Sequence, residues 1–332
     1  MKRVIAALVC CTVAAGGAAA QTGAERLHRR MPAELWDPAA VDWVNDVAVI
    51  AMPSVGRDQR DTLLQDFDID MLDWYCGMSM NVGKFFRHRG IRCSAPEEYE
   101  YQEALQFSRP DTVALFEDNG IAITLDGSVA HFPESQYGGA QYMTHLAPKW
   151  HEVVKQGMAR VAPFGDSVTQ DNIGVPLIKG NGNFSDWANR QFQRWLRERC
   201  DEAERAAMGV ERVSDVHMRT YISNLLEEGT KEEALEDPLA REYIRFMYSA
   251  HLEAWLDCAT ETKRRAAEAG LPIPSVYGNQ WGAWGTSPYA TIQSQYTDVV
   301  WIEGGCTQPP FGHTTTATGA MFYRLGRAAG GF

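Results

Sequence analysis

Residues 165–174 read GDSVTQDNIG, and the reading of this stretch decides the fold. A β-branched run beginning at Ser167 ends on a carboxylate and an amide, Asp171 and Asn172. A glycine-rich loop follows, and about ten residues on an amphipathic segment begins at Phe184. Strand, loop and helix in that order form the unit of a β/α protein, where side chains at the carboxyl end of a strand face the open cleft. Asp171 is therefore the first candidate for chemistry.

Downstream, Phe184, Trp187, Ala188, Phe192, Trp195 and Leu196 recur at three- and four-residue intervals, one apolar face of a helix. Residues 201–236 are acidic and helical in composition with a break at Gly229. Asp237-Pro238 then caps a long helix that Gly270 and Pro272 stop. The span 201–269 thus reads as a helical elaboration on the core. Residues 273–277 return to a strand, followed by a loop at 278–285 of glycines, amides and two tryptophans. Residues 298–302, DVVWI, form a further buried strand that ends on Glu303-Gly304-Gly305, and a last helix fits 316–329.

Upstream, residues 144–162 carry apolar residues at helical spacing and deliver the chain to the strand before Asp171. Residues 47–52, VAVIAM, read as a strand buried on both faces. Residues 66–75, DFDIDMLDWY, alternate acids with apolar residues as a strand with one polar side does. Their D-x-D-x-D start is not a calcium loop, because Met71 stands where the tight-turn glycine belongs and Gly77 where the bidentate glutamate belongs. Residues 78–89 can form a helix and 91–94 a short strand; 97–107 and 111–119 read as helices. Residues 121–125, IAITL, read as another buried strand, ending at Asp126-Gly127.

Strands alternating with helices imply a parallel sheet with right-handed crossovers. The expected fold is α/β, a (β/α)8 TIM-type barrel over residues 41–332. Only six or seven strands can be counted, so one or two more are needed to close the barrel. The chain stops at Gly330-Gly331-Phe332 straight after a helix, as expected of a fragment whose closing strand is missing.

Residues 1–20 differ from the rest: Lys2 and Arg3, an apolar run, then small residues up to Ala20. That is the grammar of a secretory leader cleaved before Gln21, and the run is too short to span a bilayer. Val9 before Cys10 argues against lipid modification. The expectation is an exported protein, periplasmic or extracellular, with residues 21–40 as a polar surface lead-in. The formal charge of −12 becomes −14 once Lys2 and Arg3 leave with the leader, and the basic residues are scattered among acids. Nucleic acid is thereby excluded as an expected partner. The remaining cysteines, Cys76, Cys93, Cys200, Cys258 and Cys306, have no metal-type spacing and leave disulfides and buried thiols both open. No H-E-x-x-H pair, G-x-S-x-G elbow or phosphate loop is present, so neither a metal nor a cofactor is expected.

Two strands end alike, at Asp171 and at Glu303. In a β/α barrel both side chains share one mouth, the arrangement of a glycoside hydrolase, with one acid for the leaving oxygen and one carboxylate to attack or to activate water. Trp281, Trp284 and Trp301 are candidate stacking faces for a sugar, and Asn172, Asn279 and Gln280 candidate partners for its hydroxyls. Asp126, His131 and Glu134 follow the third-strand region and are candidates to line the cleft. Asp73 and Trp74 read equally as substrate contacts or as a solvated strand end. The expected partner is an oligo- or polysaccharide.

The segment DNIGVPLIKGNGNFSDWANRQFQRWLRERC resembles the beta-galactosidase-like retaining glycosidases, glycoside hydrolase family 42 and its relatives. In these a strand ends in Asn-Glu-x-Gly and a helix of the type F-x-x-W-L-x-x-K/R follows. The later VVWIEGG is similar to the strand carrying that family's second glutamate. The likeness covers the second half of the chain and implies a retaining glycosidase on a TIM barrel. Position by position, the family's asparagine falls on Asp171 and its acid/base glutamate on Asn172. An amide cannot donate that proton, so either Asp171 takes the role or the protein uses a different pairing. Asp171 as nucleophile in an alpha-galactosidase-like barrel, and a sugar-binding barrel without catalysis, remain the alternatives.

Overall fold

The computed structural model describes residues 31–35, 50–51, 70–72, 86–96, 121–131, 144, 146–170, 183–280 and 299–302. Six short strands form one sheet: β1 (Ile50–Ala51), β2 (Met71–Leu72), β3 (Arg92–Pro96), β4 (Ser167–Gln170), β5 (Ser275–Gln280) and β6 (Val299–Ile302). Every neighbouring pair is parallel, and the order across the sheet is the order along the chain. A doubly wound sheet reverses its strand order at a switch point. These six strands contain no such reversal.

The sheet is buried where its side chains are described. Met71, Cys93, Val168 and Val276 are at most 1% exposed, and so are Ser167 and Ser275. Both faces of β4 are thus covered, as expected of parallel strands with helices packed on the sheet. Asp166 joins β4 to β3 at their starts. Its backbone N–H donates to the Cys93 carbonyl (2.7 Å), its carboxylate accepts from the Cys93 N–H (2.9 Å), and Arg87 pairs with it at 3.2 Å.

Six α-helices are found among the described residues. Helix α1 (Pro148–Val161) opens with proline at its first position, where the absent N–H costs nothing, and buries Trp150, Val154 and Met158. Helix α2 (Asp186–Arg199) is capped by Ser185, whose hydroxyl accepts from the Ala188 N–H, and buries Ala188, Phe192 and Leu196. The acidic stretch folds as α3 (Glu202–Ala207), α4 (Met218–Glu228) and α5 (Lys231–Glu236). Asp201 with Glu204, and Thr230 with Glu233, close reciprocal capping boxes on α3 and α5. Helix α6 (Pro238–Glu268) is 31 residues long and capped by Asp237.

The apolar residues of this helical part close around a core of their own. Ala188, Phe192 and Leu196 of α2 meet Val210, Val216, Met218 and the first turns of α6 at Leu239, Tyr243, Phe246 and Met247. The Phe192 ring stands edge-on to Tyr243 at 4.9 Å, and Phe246 lies 5.3 Å from Phe192. The second half of α6 runs beside α1, where Asp257 meets His151 at 2.8 Å and Arg265 meets Gln156.

Two expectations are corrected. Residues 121–125 do not join the parallel sheet. They turn back on themselves, with Ile123 bridging Val129 antiparallel and the Ala130 N–H donating to the Ala122 carbonyl. The reason is the Asp126-Gly127 pair, read as a strand end: Gly127 has φ 87°, a conformation that reverses the chain. The strand read over 273–277 instead occupies Ser275–Gln280, so Gly278, Asn279 and Gln280 are paired backbone and not loop. Within the lead-in read over 21–40 only residues 31–35 are described, where Met31 and Leu35 are buried. The expected helices at 97–107, 111–119 and 316–329, and the leader 1–20, lie outside the described residues.

Candidate functional site

The parallel register defines the edge at which a site can form. Gln170 pairs with Gly278, Asn279 with Trp301, and Gln280 with Ile302. β4, β5 and β6 are therefore neighbours that end on the same side of the sheet, and the next residues along the chain are Asp171, Trp281 and Glu303. Asp171, Asn172, Trp281, Trp284, Glu303, Asp73, Trp74 and Glu134 themselves lie outside the described residues. The register brings Asn279 and Trp301 together as cross-strand partners. Asn279 and Gln280, expected in a loop, are the last two residues of β5.

Asp126 and His131 belong to the hairpin of residues 121–131. Asp126 is exposed, and its Oδ1 accepts from the Thr124 hydroxyl, from the Ser128 N–H (2.9 Å) and from the Ser128 hydroxyl (2.7 Å). These bonds, that of Thr124 first, lower its pKa to about 2. The carboxylate is thus occupied in closing the turn. A Cβ at Gly127 would meet Arg219 Nη1 at 2.9 Å, so the guanidinium lies over the hairpin tip. The Phe184 N–H donates to the Ile123 carbonyl at 2.7 Å, tying the hairpin to the chain that leaves the β4 loop.

That return point was not singled out from sequence. Asn183 is 2% exposed; its side chain accepts from the Ser185 N–H, and its carbonyl accepts from the Tyr243 phenol of α6. The rings of Phe184 and Tyr243 stack at 5.7 Å. Asn183 and Ser185 before an apolar helical stripe are a legible capping pattern, whereas Tyr243 reads as one more core aromatic of a long helix.

Elsewhere His151 stands between Asp257 (Nε2 to Oδ2, 2.8 Å) and the Cys258 thiol (Nδ1 to Sγ, 3.8 Å). Cysteine, histidine and aspartate in that order also build nucleophilic sites. Here the thiol is 0% exposed between two helices, which leaves no room for a substrate, and Lys155 shares the Asp257 carboxylate at 3.2 Å. The cluster ties α1 to α6. Cys93, Cys200 and Cys258 are buried as thiols and not joined in disulfides. Among the described residues no group of three or more histidine, cysteine or acidic side chains is placed to hold a metal, and no helix is long and apolar enough to cross a membrane.

No family model matches the chain, and no curated protein matches it in sequence. Among solved structures it is similar to an agarase, AgWH50C, with a TM-score of 0.40 and 15% identity, over 84% of this chain and 35% of the agarase. The chain therefore spans about a third of that protein's length, and a likeness of that size assigns neither fold nor function.

Proposed function

We propose that this chain is an exported glycoside hydrolase on a (β/α)8 barrel, with Asp171 and Glu303 as its carboxylate pair. The observation that carries the reading is the adjacency of β4, β5 and β6, whose aligned ends precede Asp171, Trp281 and Glu303. Asp171 and Glu303 are the first residues after β4 and β6, and the carboxylates of a glycosidase pair stand about 5 to 9.5 Å apart. Tryptophan beside the pair supplies an apolar face for a pyranose ring, and Asn279 a hydrogen-bonding partner for its hydroxyls.

In this reading Asp171 protonates the leaving oxygen and Glu303 attacks the anomeric carbon or activates water. The test is turnover of aryl glycosides and polysaccharides by the full chain beside Asp171→Asn and Glu303→Gln, with the anomer of the first product followed by NMR. Loss of at least a hundredfold in both variants supports the pair. Retained anomeric configuration makes the pair a nucleophile with an acid/base, and inversion makes it an acid with a base. Binding without turnover in all three proteins makes the chain a sugar-binding protein instead.

A further inference from the structure

Helix α2 presents three different faces. Ala188, Phe192 and Leu196 enter the second core, and Asn189 and Gln193 each donate to the Val216 carbonyl at 3.0 Å. The third face carries Trp187, Arg190, Arg194 and Arg197, at intervals of three, four and three residues, a single line of about 15 Å along the helix. The three arginines are exposed and Trp187 is half-buried, with the Arg190 guanidinium 4.5 Å from the centre of its ring. Neighbouring arginines are spent on carboxylates: Arg199 meets Glu253, Arg212 meets Asp215 and Arg245 meets Glu242. Arg190, Arg194 and Arg197 make no ion pair with a described residue, in a chain whose formal charge is −12.

The complement of this face stands on the same chain. A groove of about 690 Å³ where α4, α5 and the start of α6 meet is lined by Leu225 and Ala234 together with Glu228, Glu232 and Glu236. Leu226 and Leu235, next in the chain to lining residues, are two of the three large hydrophobic side chains exposed among the described residues. Glu236 is held by Arg241 at 3.3 Å, whereas Glu228 and Glu232 make no ion pair with a described residue.

We propose that the arginine face of α2 docks in the α4–α5 groove of a second copy of this chain. Each copy carries both halves, so two copies related by a twofold axis make the contact twice. The arginine forks meet Glu228 and Glu232, and Trp187 packs with Leu226 and Leu235. One exposed ion pair contributes little, so the association depends on several charges engaged together beside apolar contact. Charge complementarity selects a second copy as the occupant, because unpaired groups of opposite sign and exposed apolar side chains are found on one chain. The inference is independent of the proposed sugar site.

Charge reversal in trans tests it. The full chain, the double variant Arg190→Glu with Arg194→Glu, and the double variant Glu228→Lys with Glu232→Lys are followed by analytical ultracentrifugation from micromolar concentration up to the solubility limit. Expected is self-association of the unchanged chain, weakened at least about tenfold in each double variant alone, where like charges then face one another. An equimolar mixture of the two variants recovers association, because each face again meets its opposite; the recovery also shows that both variants are folded. An unchanged chain that stays monomeric, whether or not its arginines take up heparin, overturns the proposal. So does self-association that either double variant retains in full, or a mixture that stays monomeric.

Discussion

The Tyr243 phenol donates to the backbone carbonyl of Asn183, sixty residues away in sequence, with both residues almost fully buried. The bond fastens the long helix α6 to the point where the chain returns from the loop that starts at Asp171. Burial pushes the phenol well above its ordinary pKa, so it remains a donor throughout the working pH range. Tyr243→Phe keeps the ring against Phe192 and Phe184 and strands a buried carbonyl. The expected cost is about 1–3 kcal/mol in urea unfolding, while Phe192→Ala, which empties the same core, costs about 3–5 kcal/mol.

His251 is fully buried in α6, and burial lowers its pKa from 6.5 to about 4, partly opposed by the bond of Nδ1 to the Met247 carbonyl. The folded imidazole stays neutral where the unfolded one already binds a proton. Its contribution to stability is therefore complete above about pH 6.5 and is lost as the pH falls toward 4, on the order of 3 kcal/mol in all. Denaturant midpoints measured between pH 7 and 4 should fall steeply below 6.5, and His251→Gln should flatten that slope.

Asp237 does two things at the start of α6. Its carboxylate accepts from the Ala240 N–H at 2.8 Å and from the Tyr221 phenol at 2.9 Å, and Tyr221, raised to about 12 by burial and by this bond, holds its proton. Asp237→Ala should cost about 2 kcal/mol, the loss of a cap together with a stranded phenol. Thr230→Ala, which breaks only the exposed box on α5, should cost about 1 kcal/mol. Equal losses in thermal unfolding would remove the Tyr221 link.

Cys93 is raised to about 12 by burial and by the neighbouring Asp166 carboxylate, and Cys200 to about 11 by burial, Glu242 and Glu204. A thiol reacts as its thiolate, so both should be inert to iodoacetamide at pH 8 in the native protein and alkylated after denaturation. Fully buried Cys258 should behave in the same way. Peptide mapping before and after urea treatment checks all three, and native labelling of Cys93 would contradict its burial.

The helices were the legible part of the fold. Trp150, Val154 and Met158, or Ala188, Phe192 and Leu196, repeat at the period of the helix that buries them, and Ser185, Asp237 and Pro238 stand where helix ends need them. Strand positions were legible more coarsely: GDSVTQ holds β4 at Ser167–Gln170 and DVVWI holds β6 at Val299–Ile302. The misreadings fell on short apolar runs beside turns. IAITL has a strand's composition, yet Asp126 and Gly127 reverse it within a few residues. Gly278 reads as a loop residue, yet it is paired between Gln170 and Val300.

By itself the sequence determined the helices α1, α2 and α6, the Asp237-Pro238 cap, and which carboxylates follow β4 and β6, because periodicity and capping are local properties of a chain. Only the tertiary structure decided that β4, β5 and β6 are neighbours with Asn279 level with Trp301. It alone closed the first half of α6 around α2 in a second core and spent the carboxylate of Asp126 on its own turn. Those facts depend on register, helix offset and contacts between residues 60 to 109 positions apart, and no spacing within a single segment records them. The strand end at GDSVTQ could be read from the chain; the neighbours that give Asp171 its candidate partner could not.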